Sequence, residues 1–87
     1  MEVESRSQLA EAIAAGATRL LIDNQEPDTV RDWVAAARAL SAAVELEATG
    51  GITPEALADY AATGVDFIST GMLTHSVRSM DIGLDAR

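Results

Sequence analysis

Four times along the chain a short apolar segment is followed by a helix-like one, at intervals of about 22 residues. That recurrence limits the fold more than any other feature. Met1 to Glu4 alternates apolar and acidic residues, as a strand does. Arg19-Leu20-Leu21-Ile22-Asp23 is a continuous apolar run, the pattern of a parallel strand covered on both faces. Val44 to Ala48 and Val65 to Thr70 read as the third and fourth strands. The intervening segments carry helix signals. Ser5 or Ser7 is a candidate N-cap for a helix that Gly16 ends. Pro27 precedes a helix over 28–40, whose apolar stripe is Val30, Trp33, Val34 and Ala37. Thr53 and Pro54 open a third helix over 54–63, stopped by Gly64. A short helical turn is expected over 72–75, and an extended segment over 81–85.

The fold class is therefore α/β: four consecutive βα units with parallel strands joined by right-handed crossovers. Four units make half of an incomplete, TIM-like β/α barrel and do not close one. An open four-stranded sheet would expose an apolar inner face and two edges. The expectation is a fragment, or a chain that pairs with itself or with another chain.

Composition narrows the function. Fourteen acidic residues against six basic ones give a net charge of −8, and every basic residue is Arg. A nucleic-acid binder would carry a basic patch, and none is visible. No apolar run reaches the roughly 18 residues a membrane span needs, and no basic region followed by an apolar run, the pattern of a secretory signal, is visible at the N-terminus. The absence of cysteine removes disulfides and thiolate metal sites and fits a cytoplasmic protein.

In parallel α/β folds ligands bind beyond the carboxyl ends of the strands. Glu2 and Glu4, Asp23, Thr49-Gly50-Gly51 and Gly71 with His75 fall there. Adjacent glycines let another group approach backbone amides closely, which suits an anion such as phosphate. Strand-end carboxylates suit sugar hydroxyls or a divalent cation. Each residue also has a plainer reading. Glu2 and Glu4 fit a solvated terminal strand, and Asp23 a turn or cap. Glu47 fits a buried ionic partner, Thr49 an N-cap, and His75 a structural hydrogen bond. Trp33, Tyr60 and Phe67 are scattered and read as core or helix-packing residues. No nucleophile triad, zinc motif or P-loop is present.

In order and spacing, six stretches closely resemble one family. They are Glu2-Val3-Glu4, Leu21 to Asn24, Leu46 to Ile52, Tyr60 to Ser69, Gly71-Met72-Leu73-Thr74-His75-Ser76 and Asp81 to Asp85. The family is quinolinate phosphoribosyltransferase, or carboxylating nicotinate-nucleotide pyrophosphorylase. The resemblance implies a pentosyltransferase of NAD biosynthesis. Such an enzyme makes nicotinate mononucleotide, pyrophosphate and CO2 from quinolinate and phosphoribosyl pyrophosphate, with Mg²⁺. It implies a homo-oligomer with an N-terminal sandwich domain and a C-terminal incomplete barrel. Residues 1–87 would then be the C-terminal part of that barrel, without the N-terminal domain and the earlier strands.

By the same resemblance, Glu2 and Asp23 match the acidic pair that contacts the ribose hydroxyls and the metal-bound phosphoribosyl group. Thr49, Gly50, Gly51 and Gly71 match the 5′-phosphate site, with His75 beside it. Thr49 departs from the Ser usual in the family, and Thr70-Gly71-Met72 from a smaller, more apolar pattern. The cationic residues that hold quinolinate and pyrophosphate match no part of this chain. The isolated chain is therefore expected to be inactive. A phosphate-binding or self-associating half-barrel, and a paralogue with another substrate, are the alternatives.

Overall fold

The computed structural model describes residues 2–70 and 73–77. The expectations for Met1, Gly71, Met72 and the 81–85 segment fall outside the described residues. The chain alternates strands and helices as the spacing predicts: β1 (Glu2–Val3), α1 (Arg6–Ala14), β2 (Arg19–Asp23), α2 (Pro27–Leu40), β3 (Glu45–Thr49), a 3-10 turn (Pro54–Ala56), α3 (Leu57–Ala61), β4 (Phe67–Thr70) and β5 (Leu73–Ser76). The sheet order is β1-β2-β3-β4-β5, and the first three pairings are parallel. This is an α/β fold consistent with part of an α/β barrel.

Local chemistry sets the helix ends. The Ser5 hydroxyl accepts the Gln8 N–H at 3.1 Å, and the Gln8 side chain accepts the Glu4 N–H at 2.7 Å. Two amides at the helix entry are thereby satisfied. Pro27 opens α2, where its missing N–H costs no hydrogen bond. Val30, Trp33, Val34 and Ala37 are buried on one stripe of α2, as expected.

Strand alternation divides the sheet into two unlike faces. Val3, Leu20, Ile22, Leu46, Ala48 and Ile68 are fully buried against the helices, in one cluster with Leu9, Val30 and Trp33. The alternate set is Glu2, Leu21, Asp23, Glu47, Thr49, Phe67 and Ser69. The expected apolar inner face is thus corrected to a mixed one, with Leu21 and Phe67 set among polar groups. Charge pairing makes this possible. Glu47 is only 6% exposed, and its carboxylate accepts from Arg19 at 2.6 Å and also from the Ser69 hydroxyl. Ser69 in turn meets Thr74 at 3.1 Å, and the Arg19 guanidinium lies 4.0 Å from the Phe67 ring centre. A buried carboxylate whose oxygens are both engaged avoids the cost of an orphaned charge.

Two further expectations change. The third helix shortens to five residues, because the Thr53–Pro54 entry tightens into a 3-10 turn through Ala56 N–H to Thr53 O at 3.0 Å. The segment expected as a helical turn is instead β5, antiparallel to β4, with Phe67 opposite Ser76 and Thr70 opposite Leu73. The edge of β4 offers backbone groups that need partners, and pairing with β5 satisfies them, which a helical turn would not.

Candidate functional site

The carboxyl ends of β2 and β3 converge. Asp23 and Thr49 are register partners on adjacent strands. Their side chains project from the face away from the helices, and the Thr49 hydroxyl donates to Asp23 Oδ1 at 2.8 Å. That bond occupies the hydroxyl proton and orients the carboxylate. Thr49 is therefore arranged to hold Asp23, and its oxygen is left as an acceptor.

Just beyond Thr49, Gly50 adopts φ +121°, a region L side chains rarely enter. A Cβ there would lie 3.0 Å from both N and Cα of Asn24, so the position needs glycine twice over. Gly51 differs. Its φ is not positive, and a Cβ built on it meets nothing within 4 Å. Nothing in the described fold demands a glycine at 51.

The turn closes with Ile52 N–H donating to Gly50 O at 2.9 Å, and the Ile52 side chain is buried. Neither the Gly50 nor the Gly51 N–H has a backbone acceptor among the described residues. Two adjacent amide donors thus sit beside a carboxylate, on a turn anchored to the core. α3, with five residues, is too short for a substantial dipole, so any anion here would be met by the turn's own amides.

Glu2 lies on the same face as Asp23. It pairs in register with Leu21, two residues before Asp23, and is exposed. His75 is placed apart. It stands in β5 opposite Ile68, on the helix side of the sheet, and its Nε2 lies 3.2 Å from Thr70 Oγ1. No hydrogen bond joins it to Asp23, Thr49, Gly50 or Gly51 among the described residues. Gly71 lies outside the described residues.

Two contributors carry little signal in the sequence. Asn24 is in the left-handed region at φ 55°, and its N–H donates to Thr49 O at 2.9 Å. Asparagine tolerates that region, which is the one available clue. Tyr60, from α3, donates its hydroxyl to Gln25 O at 2.6 Å. A bond to a backbone carbonyl 35 residues away leaves no local pattern. Burial, and then the Glu26 carboxylate, raise the Tyr60 phenol above its ordinary pKa.

All four arginines among the described residues face carboxylates: Arg6 with Asp32, Arg19 with Glu47, Arg31 with Asp28 and Arg38 with Asp66. No three His, Asp or Glu side chains converge to hold a metal among the described residues. No helix among them is long and apolar enough to cross a membrane.

The fold is consistent with part of an α/β barrel domain, with a glycine turn and a carboxylate side by side at the strand carboxyl ends. Comparison with known proteins narrows that class. Residues 1–85 match the family model of the quinolinate phosphoribosyl transferase C-terminal domain, and the chain belongs to this family. It is 51% identical over 85 residues to a probable carboxylating nicotinate-nucleotide pyrophosphorylase of Bacillus subtilis, covering 98% of this chain and 28% of that protein. The Mycobacterium leprae nicotinate-nucleotide pyrophosphorylase is 41% identical over 98% of this chain and 30% of its own length. The Homo sapiens protein of that name is 33% identical, over 97% of this chain and 28% of its own length. The chain thus spans under a third of each of these relatives.

Proposed function

We propose that this chain carries the ribose 5-phosphate half of a quinolinate phosphoribosyltransferase site and is inactive alone. One observation carries the reading: beside the Asp23–Thr49 pair, the Gly50 and Gly51 amides lack backbone acceptors among the described residues. A sugar phosphate has matching chemistry at its two ends. The phosphate takes N–H donors from Gly50 and Gly51, with Gly71 at the same end in this reading, while His75, held by Thr70 on the helix side of the sheet, is not needed for it. The ribose hydroxyls donate to the Asp23 and Glu2 carboxylates. The open space where a Gly51 Cβ would stand leaves room for phosphate oxygens.

The fit is poorer for a resident Mg²⁺. Glu2 and Asp23 are two carboxylates without a third ligand from the described residues. Mg²⁺ prefers six oxygens and keeps several waters or phosphate ligands. In this reading it arrives with the diphosphate substrate and is not held by this chain.

Inactivity follows from charge. Pyrophosphate departure leaves negative charge that needs preorganised cations. The described arginines are committed to carboxylates, there is no Lys, and the net charge is −8. Quinolinate would be held by the remainder of the barrel and a partner subunit.

The test is a titration of isotopically labelled chain with Mg²⁺ and phosphoribosyl pyrophosphate, followed by addition of quinolinate and assay for product. Saturable amide shifts at Gly50 and Gly51 with no nicotinate mononucleotide are expected. A folded sample without those shifts would overturn the site, and product formation would overturn the inactivity.

A further inference from the structure

We propose that Asn24 and Tyr60 are positioning residues. They lock the β2–α2 loop onto the glycine turn and so set the spacing between the Asp23 carboxylate and the Gly50–Gly51 amides. The proposal rests on the ribose 5-phosphate reading above and explains how its two ends are held in register.

Four contacts make the lock. Asn24 takes φ 55°, the one non-glycine residue with positive φ among the described residues, and this turns its N–H onto Thr49 O at 2.9 Å. The same bend brings the Asn24 backbone against Gly50, where even a Cβ would stand at 3.0 Å. From the far side, Tyr60 packs on the core and donates its hydroxyl to Gln25 O at 2.6 Å. Gln25 Nε2 reaches back to Asp23 O at 3.4 Å. The residues after Asp23 are thus held by β3 on one side and α3 on the other. A non-glycine residue kept in the left-handed region needs surroundings that over-determine it.

A ligand that spans carboxylate and amides benefits when the two ends are fixed beforehand, because less ordering remains to be done on binding. A ligand that touches the amides alone gains nothing from that spacing. The two kinds of ligand therefore separate positioning from general stability.

The experiment measures binding of ribose 5-phosphate and of inorganic phosphate to the 87-residue chain and to Tyr60→Phe, Asn24→Val and Asn24→Gly. Amide hydrogen exchange at Asn24 is followed without ligand. Tyr60→Phe and Asn24→Val should each weaken ribose 5-phosphate about fivefold, the worth of one hydrogen bond, and leave inorganic phosphate unchanged. Asn24→Gly keeps the left-handed backbone and should bind like the parent. Exchange at Asn24 should quicken in Tyr60→Phe. Equal loss of both ligands, or no loss of either, would overturn the positioning role. Unchanged exchange at Asn24 would overturn the lock itself, whatever the ligand does. A parent chain that binds no ribose 5-phosphate while Asn24 exchange still responds would defeat the site reading, and positioning with it, leaving a loop contact only.

Discussion

The two ends of the sheet treat their polar groups in opposite ways. At the amino ends of β3 and β4, Arg38 donates to Val44 O, to Gly64 O at 3.2 Å and to Asp66 Oδ2 at 2.9 Å. The same Asp66 oxygen accepts the Leu46 N–H at 2.9 Å, and the Asp66 backbone bonds Leu46 O and the Val77 N–H. One arginine and one aspartate tie α2, β3, β4 and the residue after β5 together. At the carboxyl ends, Asp23, Thr49 and Asn24 are also tied, yet the Gly50 and Gly51 amides have no acceptor among the described residues. The first end spends its polar groups on the fold. The second leaves two amides without a partner among the described residues, where the ligand proposed above would bind. Barrels of this class divide stability and binding between their two ends in this way.

The largest effect should come from the amino end. Arg38→Ala removes a charged donor from two carbonyls and a carboxylate, each about two-thirds buried or more for the ion pair itself. It should cost about 3 kcal/mol by urea titration, since both carbonyls lose their Arg38 donor and Asp66 keeps only the Leu46 N–H against its charge. Molecules still folded should show the same phosphate-induced shifts at Gly50 and Gly51. Loss of those shifts in a folded sample would break the division between the ends.

Gly50→Ala comes next. Its φ of +121° and the 3.0 Å approach to Asn24 make even a methyl group costly, by about 2 kcal/mol. Unlike Arg38→Ala, it should also abolish the phosphate response. Its neighbour sharpens the contrast. Gly51→Ala should leave stability unchanged or raise it by about 0.5 kcal/mol through the unfolded chain, because the fold has room for its Cβ. Phosphate binding should still fall. A Gly51→Ala chain that binds phosphate normally would mean the open space at 51 is not reserved for a ligand.

The smallest effect is a pH dependence. The Tyr60 phenol is raised in the folded chain, so above pH 10 the unfolded state loses that proton first. Stability is therefore fully present below the ordinary tyrosine pKa and declines as pH rises through the folded value. Urea midpoints measured upward from pH 9 should fall more steeply in the parent than in Tyr60→Phe.

Much of the fold was legible in the residues. The strand spacing, the α2 stripe and Gly16 read correctly because they are local and periodic. The third helix read too long, since Thr53–Pro54 signals an entry but not how tightly the first turn winds. β5 was missed for a related reason. Leu73-Thr74-His75-Ser76 has no strong preference of its own, and its pairing with β4 decides its state. The mixed face of the sheet was half legible. Glu47 suggested a buried ion pair, but Arg19 lies 28 residues away along the chain.

The sequence by itself determined the βα order, the Pro27 and Thr53 helix entries and the glycines at 50 and 51, because backbone freedom and side-chain periodicity act over a few residues. Only the tertiary structure decided which glycine the fold needs, that Thr49 spends its proton on Asp23, and that Tyr60 reaches Gln25. Those contacts join residues 26 and 35 positions apart, and they exist only once parallel pairing has brought separate strand ends side by side.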